Sequence, residues 1–71
     1  MRSYLVTFHK VVPDGSGHDR AVVQGRMVVR ARSDVSALYE AKARFCQAMR
    51  IADWRLRADT CRAVEVARLV A

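Results

Sequence analysis

The sequence predicts a single small α+β domain, an antiparallel sheet with one helix packed on one of its faces. Three observations predict it. Two stretches alternate apolar and polar residues with a period of two, a cluster of turn residues separates them, and an apolar stripe with helical spacing follows. Seventy-one residues make one domain, 1–71, with a thin core. The element order expected is ββαβ or ββαββ.

The first strand is read at Tyr4 to Val12, where Tyr4, Val6 and Phe8 share one face and Leu5, Thr7 and His9 the other. Pro13-Asp14-Gly15-Ser16-Gly17 breaks it with residues that favour turns. A second alternation runs from Arg20 to Ala31. Ala21, Val23, Gly25, Met27, Val29 and Ala31 are expected on the core side, and Val22, Gln24, Arg26, Val28 and Arg30 on the outer side. Two such runs about a short loop make an antiparallel hairpin.

Ser33 and Asp34 are good N-cap and first-turn residues for a helix over about Asp34 to Arg50. Val35, Leu38, Ala41, Phe45, Met49 and Ala52 recur on one side of it, with Lys42 and Cys46 at the stripe's shoulder. Asp53 to Ala58 alternates again and reads as a strand with Trp54, Leu56 and Ala58 inward and Arg55 and Arg57 outward. The tail, Asp59 to Ala71, fits a strand over Cys61–Ala67 or a helix with Arg62, Glu65 and Arg68 on one side and Ala63, Val66, Ala67 and Val70 on the other; its valines favour strand. The core is then Tyr4, Val6, Phe8, Val23, Met27, Val29, Leu38, Ala41, Phe45, Met49, Trp54 and Leu56.

The segments Tyr4-Leu5-Val6-Thr7-Phe8-His9-Lys10, Ala41-Lys42-Ala43-Arg44-Phe45-Cys46 and Asp53-Trp54-Arg55-Leu56-Arg57-Ala58-Asp59 resemble those of a group of short bacterial proteins with no assigned function. The resemblance implies a bacterial protein of this architecture and brings no functional residues with it. Better-known modules fit less well. A double-stranded RNA-binding domain begins with a helix, and an RNA-recognition motif stacks bases on paired sheet aromatics; neither pattern occurs here.

Thirteen basic and seven acidic residues give a net charge of +6. Such a surplus attracts polyanions, although 11 of the 13 are Arg in a chain also rich in Ala and Val, a bias that GC-rich coding also produces. A hydrophobic content of 52% excludes a disordered tail, and no apolar run approaches the roughly 18 residues of a membrane span. The N-terminal apolar run is too short and too polar for a signal peptide, so a cytoplasmic protein is expected. Cys46 and Cys61, 15 residues apart, are then expected to be reduced thiols, with a bridge requiring Cα atoms within about 7 Å.

Chemistry has few candidates. His9, His18, Cys46 and Cys61 match no zinc spacing, so no metal and no cofactor are expected. Gly15-Ser16-Gly17-His18 could offer backbone N–H groups to an anion, but it lacks the lysine and helix start of a phosphate loop. The aspartates sit at turns and caps, no nucleophile–base signature occurs, and an enzyme is not expected. The outer sheet face is where function is sought. Arg26, Arg30, Arg55 and Arg57 there could track phosphates. Leu5, Val22 and Val28 on the same face could form a subunit interface, most simply a homodimer. The sequence reading favours a small interaction module, self-associating through this face and docking onto an unidentified protein partner. A basic nucleic-acid-binding accessory protein is the alternative.

Overall fold

In the computed structural model, which describes residues 1–66, the chain forms β1 (Arg2–Pro13), β2 (Asp19–Ala31), α1 (Asp34–Met49), a 3-10 turn (Trp54–Leu56) and β3 (Thr60–Glu65). The sheet order is β2-β1-β3 with both pairings antiparallel. This is the small α+β arrangement expected, in its ββαβ form. Ala67, Arg68 and Val70 of the predicted tail lie outside the described residues.

β1 is the central strand, and its alternation holds as read: Tyr4, Val6 and Phe8 are buried. β2 runs beside it from Arg2↔Ala31 to Pro13↔Asp19. Its core side is carried by Val29 and Ala31, which are buried, and by Met27, packed against them. The register then shifts between Phe8 and His9: Gly25 lies opposite Phe8 and Val23 opposite His9, so Gln24 has no partner. Such a bulge inserts one residue and reverses the facing of everything beyond it. Val23, expected in the core, is therefore 42% exposed on the open side with His9. Val22, expected on the open side, lies opposite Lys10 on the helix side.

The loop is closed by Asp14, whose Oδ1 accepts from the Ser16 N–H at 2.9 Å, the Ser16 hydroxyl at 2.8 Å and the His18 N–H at 3.2 Å. Gly15 and Gly17 both have positive φ, 86° and 88°, which this tight wrap requires. Two of the four N–H groups of Gly15–His18, those of Ser16 and His18, are thus engaged by Asp14.

Ser33 caps α1, its hydroxyl accepting from the Ser36 N–H at 3.2 Å. The buried line of the helix is Ala37, Ala41 and Phe45, with Leu38 beside it. Alanines at consecutive turns let the helix lie close to the sheet. Phe45 fills the space over Gly25, whose missing Cβ would come within 3.2 Å of the Phe45 ring, and it stacks on Phe8 at 4.1 Å between centroids. The stripe is thus rotated from the one read in the sequence: Val35 is 71% exposed, and Met49 and Ala52 are exposed.

The largest departure is at Asp53–Ala58. Instead of a strand, Asp53 Oδ1 accepts from the Arg55 N–H at 3.0 Å, the Asp53 carbonyl accepts from Leu56 N–H at 3.0 Å, and the Trp54 carbonyl accepts from Arg57 and Ala58 N–H groups at 3.1 Å. A capping aspartate offers the backbone this local alternative to a ladder. Trp54 meets the Phe8 ring edge-on at 5.9 Å, Ala58 is buried, and Leu56 is turned out, 64% exposed.

β3 then pairs with β1 from Tyr4↔Glu65 to His9↔Thr60. Asp59 ends this pairing. Its N–H donates to the His9 carbonyl at 2.7 Å, and its Oδ2 accepts from the Val11 N–H at 2.6 Å. Beyond that point β1 and β2 continue as a two-stranded ribbon. Twelve residues at ~3.4 Å each account for most of the 42 Å long axis.

Candidate functional site

The face of the sheet opposite α1 can be built row by row, because directly opposed residues of antiparallel strands share a face. Around Leu5 the register sets Val28 on one side and Val64 on the other. Around Thr7 it sets Arg26 and Arg62, and around His9, Val23 and Thr60. Arg30 flanks Ser3. The result is an apolar row, Val28–Leu5–Val64, crossing all three strands, with guanidinium-bearing rows on both sides of it. Val28 and Val64 are 59% and 55% exposed. An antiparallel sheet with one solvated face ordinarily alternates apolar-in with polar-out. Leu5, Val28, Val64 and Val23 all depart from that rule on the same side.

Of the arginines expected on this face, Arg26 and Arg30 are there. Arg55 and Arg57 are not, because the segment that carries them is the 3-10 turn rather than a sheet strand. Arg55 folds back on Asp53 at 2.9 Å, and its pKa is raised by that hydrogen-bonded carboxylate. Arg62 of β3 takes their place: the strand favoured over Cys61–Ala67 is present as Thr60–Glu65, but its arginine was not assigned to this face. Of the apolar residues expected, Leu5 and Val28 are on the face. Val22 is moved off it by the bulge, and Val23 and Val64 join instead.

The electrostatics of the face are one-sided. Among the described residues Arg26, Arg30 and Arg62 are in no salt bridge; the ion pairs formed are Arg2–Glu65, Arg44–Glu40 and Arg55–Asp53. Most carboxylates are engaged elsewhere, Asp14 in the loop and Asp59 on β1. Asp34 accepts from its neighbour Val35 at the helix start. The five aromatic residues lie off the face: Tyr4, Phe8 and Phe45 are buried, Trp54 packs on Phe8, and Tyr39 stands on the helix.

Other places hold less. A surface hollow of about 340 Å³ is lined by Arg2, Tyr4, Ser33, Asp34, Ala63 and Glu65. Its charged groups are engaged locally, Arg2 with Glu65 at 3.7 Å and Asp34 with the Val35 N–H at 2.8 Å. Cys46 and Cys61 are free, half-buried thiols. Burial pushes the Cys61 thiol up and nearby Lys42 pulls it partly back, which leaves little nucleophilic thiolate. The Lys42 ammonium sits 5.0 Å from the Trp54 ring centroid, a cation–π contact that covers the core's edge. Among the described residues no three of His, Cys, Asp and Glu gather as metal ligands. No helix among them is long and apolar enough to cross a membrane. No protein-family model, curated protein or solved structure matches this chain.

Proposed function

We propose that this protein is a small interaction module whose open sheet face is the surface that docks another protein chain. The observation that carries the reading is the Val28–Leu5–Val64 row, apolar residues solvent-facing on all three strands where a solvated antiparallel face would be polar. Against it the helix side already has its partner layer in α1. A second copy of the chain is one occupant of such a face, and two-fold dimers are the commonest assembly.

One observation favours a second reading, a basic accessory protein that holds nucleic acid. Arg26, Arg30 and Arg62 share the face and form no ion pair among the described residues. Guanidiniums alone supply affinity for phosphate without sequence readout, and the face offers no Phe, Tyr or Trp on which a base could stack. The protein-docking reading is the better supported for that reason.

Site-specific photo-crosslinking tests it. A benzophenone side chain placed at Val28 or Val64 in the cell that makes the protein should give adducts with protein, insensitive to nuclease. The same group at Val35, on the outer side of α1, should give none. Adducts that nuclease removes, or adducts from Val35 alone, would overturn the reading.

A further inference from the structure

We infer that the occupant of the open face is an acidic amphipathic helix of a different protein, lying across β1 with its apolar stripe along the Val28–Leu5–Val64 row. This rests on the docking reading above and adds the chemistry of the partner. That row runs across the sheet from Val28 on β2 through Leu5 on β1 to Val64 on β3. The cations stand on either side of it, Arg26 and Arg62 in the row around Thr7 and Arg30 beside Ser3. Alternate residues of a strand lie ~6.8 Å apart, so the two flanking rows are about 14 Å apart across Leu5. A helix with its side chains is about 10–12 Å across. A helix laid along the row therefore brings the borders of its apolar stripe to the guanidinium groups on the row's two sides, and those borders must be acidic to match them.

The chain does not supply such a partner itself. Of its seven carboxylate side chains, Asp14, Asp34, Asp53 and Asp59 accept hydrogen bonds from the backbone, and Glu40 and Glu65 are ion-paired. Asp19, the remaining one, lies at the hairpin tip opposite Pro13. Two open faces brought together would set Arg26, Arg30 and Arg62 against the same residues of the copy with no anion between them. The outer side of α1 is no better, since its Glu40 is held by Arg44 at 2.7 Å. Nucleic acid would satisfy the arginines but would lay a charged backbone over Leu5, Val28 and Val64 and gain nothing from burying them.

Designed peptides test the inference. Three helical peptides of about 18 residues, long enough to hold a helix, differ only in pattern: a Leu stripe bordered by Glu, the same stripe bordered by Lys, and the Glu pattern with Ser in place of Leu. Binding is read by fluorescence anisotropy at about 150 mM salt, with single-stranded DNA as competitor and amide shifts locating the contact. The Glu-bordered stripe should bind at least about tenfold tighter than either of the others, shifting Leu5, Val28 and Val64. Arg26→Glu with Arg62→Glu should reverse the preference toward the Lys-bordered peptide. Equal binding of the Glu- and Lys-bordered stripes, both lost in Leu5→Gln, would overturn the acidic partner and leave the docking face standing. Equal binding of the stripe-less peptide, or displacement by DNA, would overturn it in favour of a polyanion surface. Binding of none of the peptides, with no crosslinks from Val28 or Val64, would overturn both.

Discussion

Phe45 is the side chain on which the two layers turn. It is 3% exposed, stacked on Phe8, and seated over the one strand position without a side chain. Phe45→Ala should cost about 3–5 kcal/mol, a large part of what a domain of this size possesses, and thermal melting should show it directly. A second residue-scale prediction concerns acid. Asp14 is held below the usual carboxylate range by hydrogen bonds from Ser16, and Asp53 by Arg55. A carboxyl depressed in the folded state contributes stability that is fully present above its unfolded value of about 3.9 and is lost as pH falls through the folded value. Melting temperature should therefore decline below about pH 4, and Asp14→Asn should make that decline shallower while lowering stability at neutral pH.

Each element ends for a local reason, and the ends are where substitution is most informative. α1 stops at Arg50, a non-glycine residue with φ 57°, after which the Ile51 N–H donates to the Cys46 carbonyl at 3.0 Å. A side chain in that left-handed region costs roughly 1–2 kcal/mol, more than the backbone entropy that glycine adds. Arg50→Gly should therefore raise stability, by about 0.5–1 kcal/mol in urea titration. The 3-10 turn gives a contrasting prediction. Leu56 is turned to water, so Leu56→Ser should change stability by less than about 0.5 kcal/mol. Were Asp53–Ala58 the strand its alternation implies, the same change would empty a core site. Trp54 and Ala58, four apart, point inward under both a period of two and a helical turn. Leu56 alone separates the two, and its hydrophobicity favoured the wrong one.

At the scale of the whole molecule the charge is asymmetric: anions are tied into loops, caps and pairs, while the open face keeps three arginines on two flanking strands. Whatever docks there, duplex DNA should be retarded weakly at low salt. With three phosphates met, affinity should fall about 40-fold between 50 and 200 mM salt, from a slope of ~0.9 per contact. Arg26→Ala with Arg62→Ala should reduce that slope to roughly one contact. Arg55→Ala with Arg57→Ala should leave it unchanged, since both stand on the turn rather than the sheet.

The sequence by itself determined the local periods: the β1 alternation with Tyr4, Val6 and Phe8 inward, the hairpin, the Ser33 cap, and a helix ending near Arg50. These follow from side-chain spacing and backbone chemistry within a few residues. It also determined that Arg26 and Arg30 share a side with Val28, because no bulge falls between them. Only the tertiary structure decided which residues complete the site. The shift opposite Phe8 and His9 exchanges Val22 for Val23, since a single unpaired residue inverts a strand's facing and leaves no mark in its composition. The choice of Thr60–Glu65 over Asp53–Ala58 as the third strand exchanges Arg55 and Arg57 for Arg62. Asp53 is hydrogen-bonded to Arg55, and Asp59 to Val11 of another strand. That second contact spans 48 positions, and no local pattern encodes a partner so far along the chain.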